Sequence, residues 1–372
     1  MKKISWITQE GFIDVDIPVI RYLKEWYDIR LIIVIPYGST ISYDGYISSV
    51  LNNSNHVMLE FFYLKSRARS FKNFKDYYHI IFKAKSFKPD LYYISFTGMP
   101  YGLPLLWTML PIKKSVLPCH NVSTPRGATN ERYAEIYKNL CLKAFDNIQV
   151  FSEGQYKVLS SMHSNKNVLL AYLMLKDYGE PTIKKRDDGI VRFLFFGNIV
   201  SYKRLDLLIE ATNILVKRGV KDFCVTIAGK SKNWEQYETK IDYPEFYKIR
   251  IERIPNEDVA NLFAESHYLV MPYQDIAQSG AITVAFRYNV PTIVSDIPQF
   301  KEFVVDGETT LSFVSMDATS LADTMEYAIS HHQEIYKALC QNQRKLVEEK
   351  FADGTIIGKY REFLDNLISK NE

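Results

Sequence analysis

Short apolar runs and amphipathic stretches alternate along the chain in a regular order. Lys3–Thr8 and Asp28–Pro36 read as strands. Ile17–Trp26 between them carries apolar residues at Val19, Ile20, Leu23 and Trp26, the spacing of one helix face. Strands are predicted again at Val57–Phe62, Leu91–Phe96, Lys114–Pro118 and Asn147–Phe151, with helices at Glu131–Ala144 and Glu153–Ser161. Strands alternating with helices imply a parallel, doubly wound sheet with both faces covered.

A polar run from Lys176 to Gly189 interrupts the pattern. It is charged, contains Gly179, Pro181 and Gly189, and has little to bury, which marks a domain boundary. The alternation then restarts. Strands are predicted at Val191–Phe196, Cys224–Ala228, Ile249–Ile254, Tyr268–Pro272 and Pro291–Val294. Helices are predicted at Leu205–Arg218, Asn256–Glu265, Ala281–Tyr288, Ser320–Ser330 and Glu334–Phe351. A last helix, Thr355–Ser369, follows the breaker Ala352-Asp353-Gly354. The expectation is two α/β domains, 1–178 and 190–354, with a ligand cleft between them at the carboxyl ends of both sheets.

Composition narrows the function classes. A chain of 372 residues with 47% hydrophobic content supports two real cores, and a net charge of +3 is too small to argue for a nucleic-acid binder. Cys119, Cys141, Cys224 and Cys340 lack metal-ligand spacing and read as reduced thiols of a cytosolic protein. The amino-terminal residues lack the long apolar core of a signal peptide, and no apolar run is long enough to span a bilayer. The expected location is cytoplasmic, with a peripheral position on the inner face of the plasma membrane as an extension. That extension comes from Lys65, Arg67, Arg69, Lys72, Lys75, Lys83, Lys85 and Lys88, interleaved with Phe71, Phe74, Tyr77, Tyr78, Ile81 and Phe82. A basic, aromatic segment over 65–88 suits an anionic membrane surface; the plain alternative is a solvated helix that turns its aromatics inward.

The candidate chemistry lies in two loops of the second domain. Phe193–Phe196 ends as a strand, the chain turns at Gly197, and Lys203 stands just before the helix that starts at Leu205. A helix N-terminus offers unpaired N–H groups and a positive dipole end, and a nearby lysine adds a full charge, so the pattern suits a diphosphate. Further on, Gln278-Ser279-Gly280 falls where the next helix should begin. Ser279 is a good cap, and Gly280 permits close approach of a ligand to the backbone. The two loops could grip one diphosphate from two sides.

The order of these motifs resembles the retaining glycosyltransferases of family 4. It runs Gly197-x5-Lys203-x2-Asp206-Leu-Leu-Ile-Glu-Ala211, Ile227-Ala-Gly229, Pro272-Tyr273, Val290-Pro-Thr-Ile-Val-Ser-Asp296 and Phe300-Lys-Glu-Phe-Val-Val-Asp-Gly307. The resemblance implies the GT-B fold, an α/β architecture of two doubly wound Rossmann-like domains facing a cleft. In that fold the C-terminal helix, here 355–372, crosses back to the first domain. It implies a retaining hexosyltransferase that moves a sugar from a nucleotide-diphosphate sugar, UDP-linked before GDP-linked, to a glycan or lipid-linked saccharide in surface-polysaccharide synthesis. No cofactor and no metal are implied, and nucleic acid is not a partner. Domain closure would exclude water.

Residue by residue, the resemblance gives Lys203 the donor diphosphate. Asn198 stands where many members have an arginine. The family's paired glutamates would fall at Ile276 and Val284, and neither is present. Asp275, one position away, is the candidate replacement for the first, and Glu302 matches a further acidic position. Gly197, Gln278, Ser279 and Gly280 complete the implied donor set. In the first domain Gly11 lies in the loop that approaches phosphate or acceptor, and His120, in Pro118-Cys-His-Asn121, would hydrogen-bond a sugar hydroxyl and steady charge at the reacting centre. Two other readings stay open: a nucleotide-sugar epimerase of the same fold, and a non-catalytic sugar-nucleotide-binding protein, which the missing glutamates make thinkable. Asp14-Val-Asp16 has the form of a metal-binding Asp-x-Asp, but with Pro18 close behind it reads as a helix start.

Overall fold

The computed structural model of the chain describes all residues except 40–43, 52–53, 68–69, 96–102, 123–130, 277–278 and 372. The described chain forms two compact units. One holds the residues up to Met174 together with Asp353 onward, and the other holds Leu175–Ala352. Each is built on an all-parallel sheet.

The first unit contains strands β1 (Lys2–Gln9), β2 (Tyr27–Ile35), β3 (Val57–Tyr63), β4 (Leu91–Ser95), β5 (Ser115–Pro118), β6 (Asn147–Val150) and β7 (Asn167–Leu170) in the order β3-β2-β1-β4-β5-β6-β7. Its helices are α1 (Ile13–Leu23), α2 (Asp44–Leu51), α3 (Phe74–Ser86), α4 (Leu103–Met109), α5 (Glu131–Ala144) and α6 (Glu153–Met162). The second unit has β8 (Val191–Phe196), β9 (Phe223–Ala228), β10 (Tyr247–Arg250), β11 (Tyr268–Met271), β12 (Thr292–Ser295) and β13 (Thr310–Phe313), ordered β10-β9-β8-β11-β12-β13. It carries α7 (Leu205–Lys217), α8 (Glu235–Glu238), α9 (Asn256–Glu265), α10 (Gly280–Arg287), α11 (Ala318–Ser330) and α12 (His332–Leu346). Helix α13 (Asp353–Ser369) belongs to the first unit.

The central strands are buried along their length because helices cover both faces. Trp6, Ile7, Ile32, Tyr93 and Ile94 are almost wholly inaccessible in the first sheet, as are Phe193, Phe195, Ile227, Leu269 and Ile293 in the second. Helix α13 is held to the first unit by specific polar contacts as well as by Ile357, Tyr360 and Leu364. Tyr22 Oη donates to Asp353 and Tyr27 Oη to Asp365, each at 2.6 Å, and Gln149 Nε2 donates to Tyr360 Oη inside the core.

The structure departs from the pattern-based expectation at identifiable places. Edge strands β7 and β13 are four residues long, too short to display a period, and were not foreseen. β10 lies earlier than expected, pairing Tyr247–Arg250 with β9. Helix α1 begins at Ile13, so Asp16 sits inside it. Its carboxylate is buried and accepts hydrogen bonds from Thr8 Oγ1 at 2.5 Å and Ser95 Oγ at 3.0 Å, which ties the helix to β1 and β4. That tertiary anchor outweighs the proline signal at Pro18, and Asp16 serves as a structural carboxylate. After α12 the expected helix widens into a π-turn at Val347–Phe351, which packs Phe351 against Phe286 and Phe303 with ring centroids 5.1 and 6.1 Å apart.

Candidate active site

In the second unit the strand order reverses at β8: the chain next builds β9 and β10 on one side, and later β11, β12 and β13 on the other. A crevice must open beyond the carboxyl ends of β8 and β11, the usual ligand position of such sheets. A cavity of about 260 Å³ lies there.

Its first wall is the turn after β8. Gly197 has φ +100°, and a side chain on it would place a Cβ 3.1 Å from Lys203 Nζ. The turn is pressed against Gly229 at the end of β9, where a Cβ would stand 2.0 Å from the Gly197 carbonyl oxygen, so only glycine fits. Gly197 N donates to Ala228 O at 2.9 Å, and Ile199 N to Lys230 O at 2.9 Å, which fixes the loop that carries Lys203 inward.

Lys203 is partly buried, and its ammonium lies 5.3 Å from the centroid of the Tyr273 ring. It forms no ion pair among the described residues. Burial pulls its pKa down from 10.5 to about 8. Burial also raises the Tyr273 hydroxyl, and raises that of Tyr202, on which the Asp275 charge acts in the same sense. Gln274 N donates to Tyr202 O at 2.9 Å and ties the two loops together.

The second wall is the start of α10. Ser279 is its N-cap in extended conformation, and its side chain makes no capping hydrogen bond to the helix. Gly280 and Ala281, in the first turn where helix N–H groups lack intrahelical partners, line the cavity, and Val284 lines it one turn on. The sequence placed the positive helix end at Leu205, but none of α7 lines the cavity. The loop supplies the lysine, and α10 supplies the dipole.

A residue that sequence reasoning left in the inter-domain run completes the lining. Lys176 Cε and Nζ lie 3.5 Å from where a Cβ on Gly280 would stand. Lys203 is therefore not the only cationic side chain of the cavity, and among the described residues no carboxylate lines it. No local signal marked Lys176; its place depends on how the run after β7 crosses α10.

The other expected residues are placed as follows. Asn198 is exposed at the cavity's edge. Ile276 is buried, while Val284 presents methyl groups to the cavity. Asp275 lies outside the lining, with Gln299 Nε2 donating to its Oδ1 at 3.1 Å. Glu302 sits in a turn rather than a helix, its carbonyl receiving Lys350 Nζ, and is likewise not part of the lining. Gln278 lies outside the described residues. In the first unit Gly11 is exposed in a 3-10 turn after β1, with nothing within 4 Å of a Cβ. His120 follows β5 and is stacked between Phe12 and Phe151, ring centroids 4.3 and 4.4 Å away. The three rings follow β1, β5 and β6, so His120 stands at the carboxyl edge of that sheet.

The basic segment around α3 splits in two. Tyr77, Ile80, Ile81 and Ala84 face the core, whereas Phe71, Phe74, Tyr78 and Phe82 are exposed by 70, 38, 45 and 57%. Their spacing follows one helical stripe. Exposed Lys72, Lys75 and Lys85 flank it. Inward packing of all the aromatics is thereby corrected. Arg69 lies outside the described residues. Among the described residues no helix is long and apolar enough to cross a membrane, and no group of three potential metal ligands occurs.

Comparison with known proteins fits this geometry. Residues 191–331 match the family described as Glycosyl transferases group 1, a stretch that contains most of the cavity lining. No curated protein sequence matches the chain. Among solved structures, a sucrose-phosphate synthase from Thermosynechococcus elongatus is similar over 100% of both chains, with a TM-score of 0.76 at 13% identity. The HepE protein of Anabaena in complex with UDP and glucose covers 98% of this chain and 100% of its own (TM-score 0.75, 13% identity). A glycosyltransferase from Rickettsia africae covers 100% of this chain and 99% of its own (TM-score 0.73, 16% identity). The chain has the GT-B fold, and its second unit carries the group 1 glycosyltransferase pattern.

Proposed function

We propose that the protein is a retaining glycosyltransferase whose second unit binds a nucleotide-diphosphate sugar, UDP-linked in preference to GDP-linked. The observation that carries this reading is the cavity at the strand-order reversal, with lysines and a helix N-terminus in its lining and no carboxylate among its described lining residues. Such a lining attracts a polyanion, and the match of residues 191–331 to group 1 glycosyltransferases supports a sugar nucleotide as that anion. UDP in the structure of the similar HepE protein supports the choice of base.

Transfer needs the diphosphate to leave with its charge neutralised. Lys203, held in a partly desolvated site, supplies a fixed charge where that negative charge grows, and the N–H groups of α10 add to it. This neutralisation asks for no divalent metal. His120, its ring orientation held between Phe12 and Phe151, takes a sugar hydroxyl. The acceptor is a glycan or lipid-linked saccharide of bacterial surface polysaccharide, and the exposed stripe Phe71, Phe74, Tyr78 and Phe82 with its lysines rests on the anionic cytoplasmic membrane face.

The test is incubation of the protein with UDP- and GDP-sugars, with and without saccharide acceptors and with and without a chelator. The expected result is slow UDP-sugar hydrolysis alone, and chelator-insensitive transfer with retained anomeric configuration once an acceptor is present. Interconversion of nucleotide sugars would instead identify an epimerase. Val284 and Ile276 in place of the glutamates favour one other reading, a sugar-nucleotide-binding protein, which would bind UDP-sugar and release it unchanged.

A further inference from the structure

We propose that Tyr273 is a positioning residue of this site: the face of its ring holds the Lys203 ammonium in the cavity without neutralising it, so the charge is in place before an anion arrives. The inference rests on the donor-site reading above and adds to it the group that makes the lysine ready.

A desolvated ammonium ordinarily takes a carboxylate as its partner. Lys203 has none among the described residues, and its Nζ stands between two neutral neighbours. On one side is Gly197, where a Cβ would come within 3.1 Å. On the other is the Tyr273 ring, its centroid 5.3 Å away. An electron-rich ring face attracts a cation yet carries no net charge. A carboxylate in that place would have to be displaced by an incoming anion, whereas the ring leaves the full charge to it. Asp275, further along the same segment, accepts a hydrogen bond from Gln299 and lies outside the cavity lining, to which Tyr273 belongs.

The ring itself is fixed from several sides. Tyr273 follows β11 and is almost wholly buried, and its carbonyl accepts a hydrogen bond from Ser295 Oγ at the end of β12. Its ring meets Tyr202 edge-on, with centroids 6.0 Å apart and planes at 88°, and packs against Phe300 with centroids 6.0 Å apart. Tyr202 precedes Lys203 in the loop after β8, and its carbonyl accepts Gln274 N at 2.9 Å. The segments that carry the ring and the lysine are therefore tied to each other at the point of contact. A lysine is among the side chains richest in rotamer freedom. Held over a fixed ring, it gives up that freedom on folding rather than on binding, which favours affinity for the ligand.

Calorimetry of UDP and uridine binding to wild type, Tyr273→Phe, Tyr273→Leu and Lys203→Gln tests the assignment, together with proteins that carry fluorinated phenylalanines of increasing fluorine content at position 273. Tyr273→Phe keeps the ring face and should retain UDP affinity within about threefold. Tyr273→Leu should weaken UDP binding by roughly tenfold, the scale of a desolvated cation–π contact, with uridine affinity within about twofold. Fluorine withdraws electron density from the ring face at nearly constant shape. UDP affinity should therefore fall step by step along the fluorinated series while the melting midpoint stays close to that of Tyr273→Phe, a readout that stands even if Tyr273→Leu folds poorly. UDP affinity insensitive to fluorination overturns the assignment, as does a Tyr273→Phe protein that loses as much UDP affinity as Tyr273→Leu. An equal loss of UDP and uridine in Tyr273→Leu makes the residue structural and also overturns it. If Lys203→Gln loses UDP while every Tyr273 variant keeps it, the Tyr273 assignment falls and the donor site stands. A wild-type protein that binds neither ligand overturns the donor-site reading and this inference together.

Discussion

Replacing Lys203 with methionine should stabilise the unliganded protein while abolishing its hold on nucleotide. The fall of the Lys203 pKa from 10.5 to about 8 means that keeping the side chain charged in the folded state costs roughly 3 kcal/mol at neutral pH, at 1.36 kcal/mol per tenfold. The ammonium stands over the Tyr273 ring, and losing that cation–π contact returns about 1 kcal/mol. The net gain on removing the charge is then about 2 kcal/mol, or about 4–8 °C in the midpoint of the second unit.

The pH dependence is the discriminating feature. A lysine depressed in the folded state carries its full penalty below the folded value of about 8 and loses it as pH rises toward 10.5. The difference between variant and wild type, followed by thermal unfolding, should therefore shrink by more than about half between neutral pH and about pH 9.5. In the wild type, UDP binding at a pH slightly above 8 should take up a proton, visible when calorimetry is repeated in buffers of different ionisation enthalpy. A Lys203→Met protein with a lower midpoint at neutral pH, or a difference that does not change with pH, would refute the reasoning.

Three further predictions follow from other parts of the fold. Burial raises the Asp16 carboxyl from 3.8 to about 6, so the folded state holds its proton more tightly than the unfolded chain. Stability should fall by roughly 3 kcal/mol as pH rises through the window from about 4 to about 6, and Asp16→Asn should flatten that slope in urea titrations. Gly229→Ala drives a Cβ into the Gly197 carbonyl; it should cost about 3 kcal/mol or more by urea unfolding and weaken UDP binding through the displaced loop. Exchanging Phe71, Tyr78 and Phe82 together for serine should abolish co-sedimentation with phosphatidylglycerol vesicles and leave the melting curve within about 1 °C, because these side chains are exposed.

Much of the candidate site was legible because its parts are local. A strand, a glycine, a lysine and a helix follow one another from Phe193 to Leu205, and α10 begins at Gly280 with Ser279 in the N-cap position, though without a capping hydrogen bond. The central strands were legible for the same reason, since burial on both faces leaves continuous apolar runs. Legibility failed where a feature depended on partners distant in the chain. The short edge strands β7 and β13 are defined by pairing with β6 and β12 rather than by period. The early start of α1 is set by Thr8 and Ser95.

The amino-acid sequence alone determined two parallel α/β units and a strand–glycine–lysine–helix loop carrying Lys203, because hydrophobic periodicity and turn chemistry act over a few residues. Only the tertiary structure decided which helix end meets that loop, how far Lys203 is desolvated, which aromatics of α3 face outward, and that Lys176 stands over Gly280. Each of these depends on where a side chain lies relative to segments far away in sequence. Burial and electrostatic potential are properties of that three-dimensional neighbourhood, and no local pattern of residues encodes them.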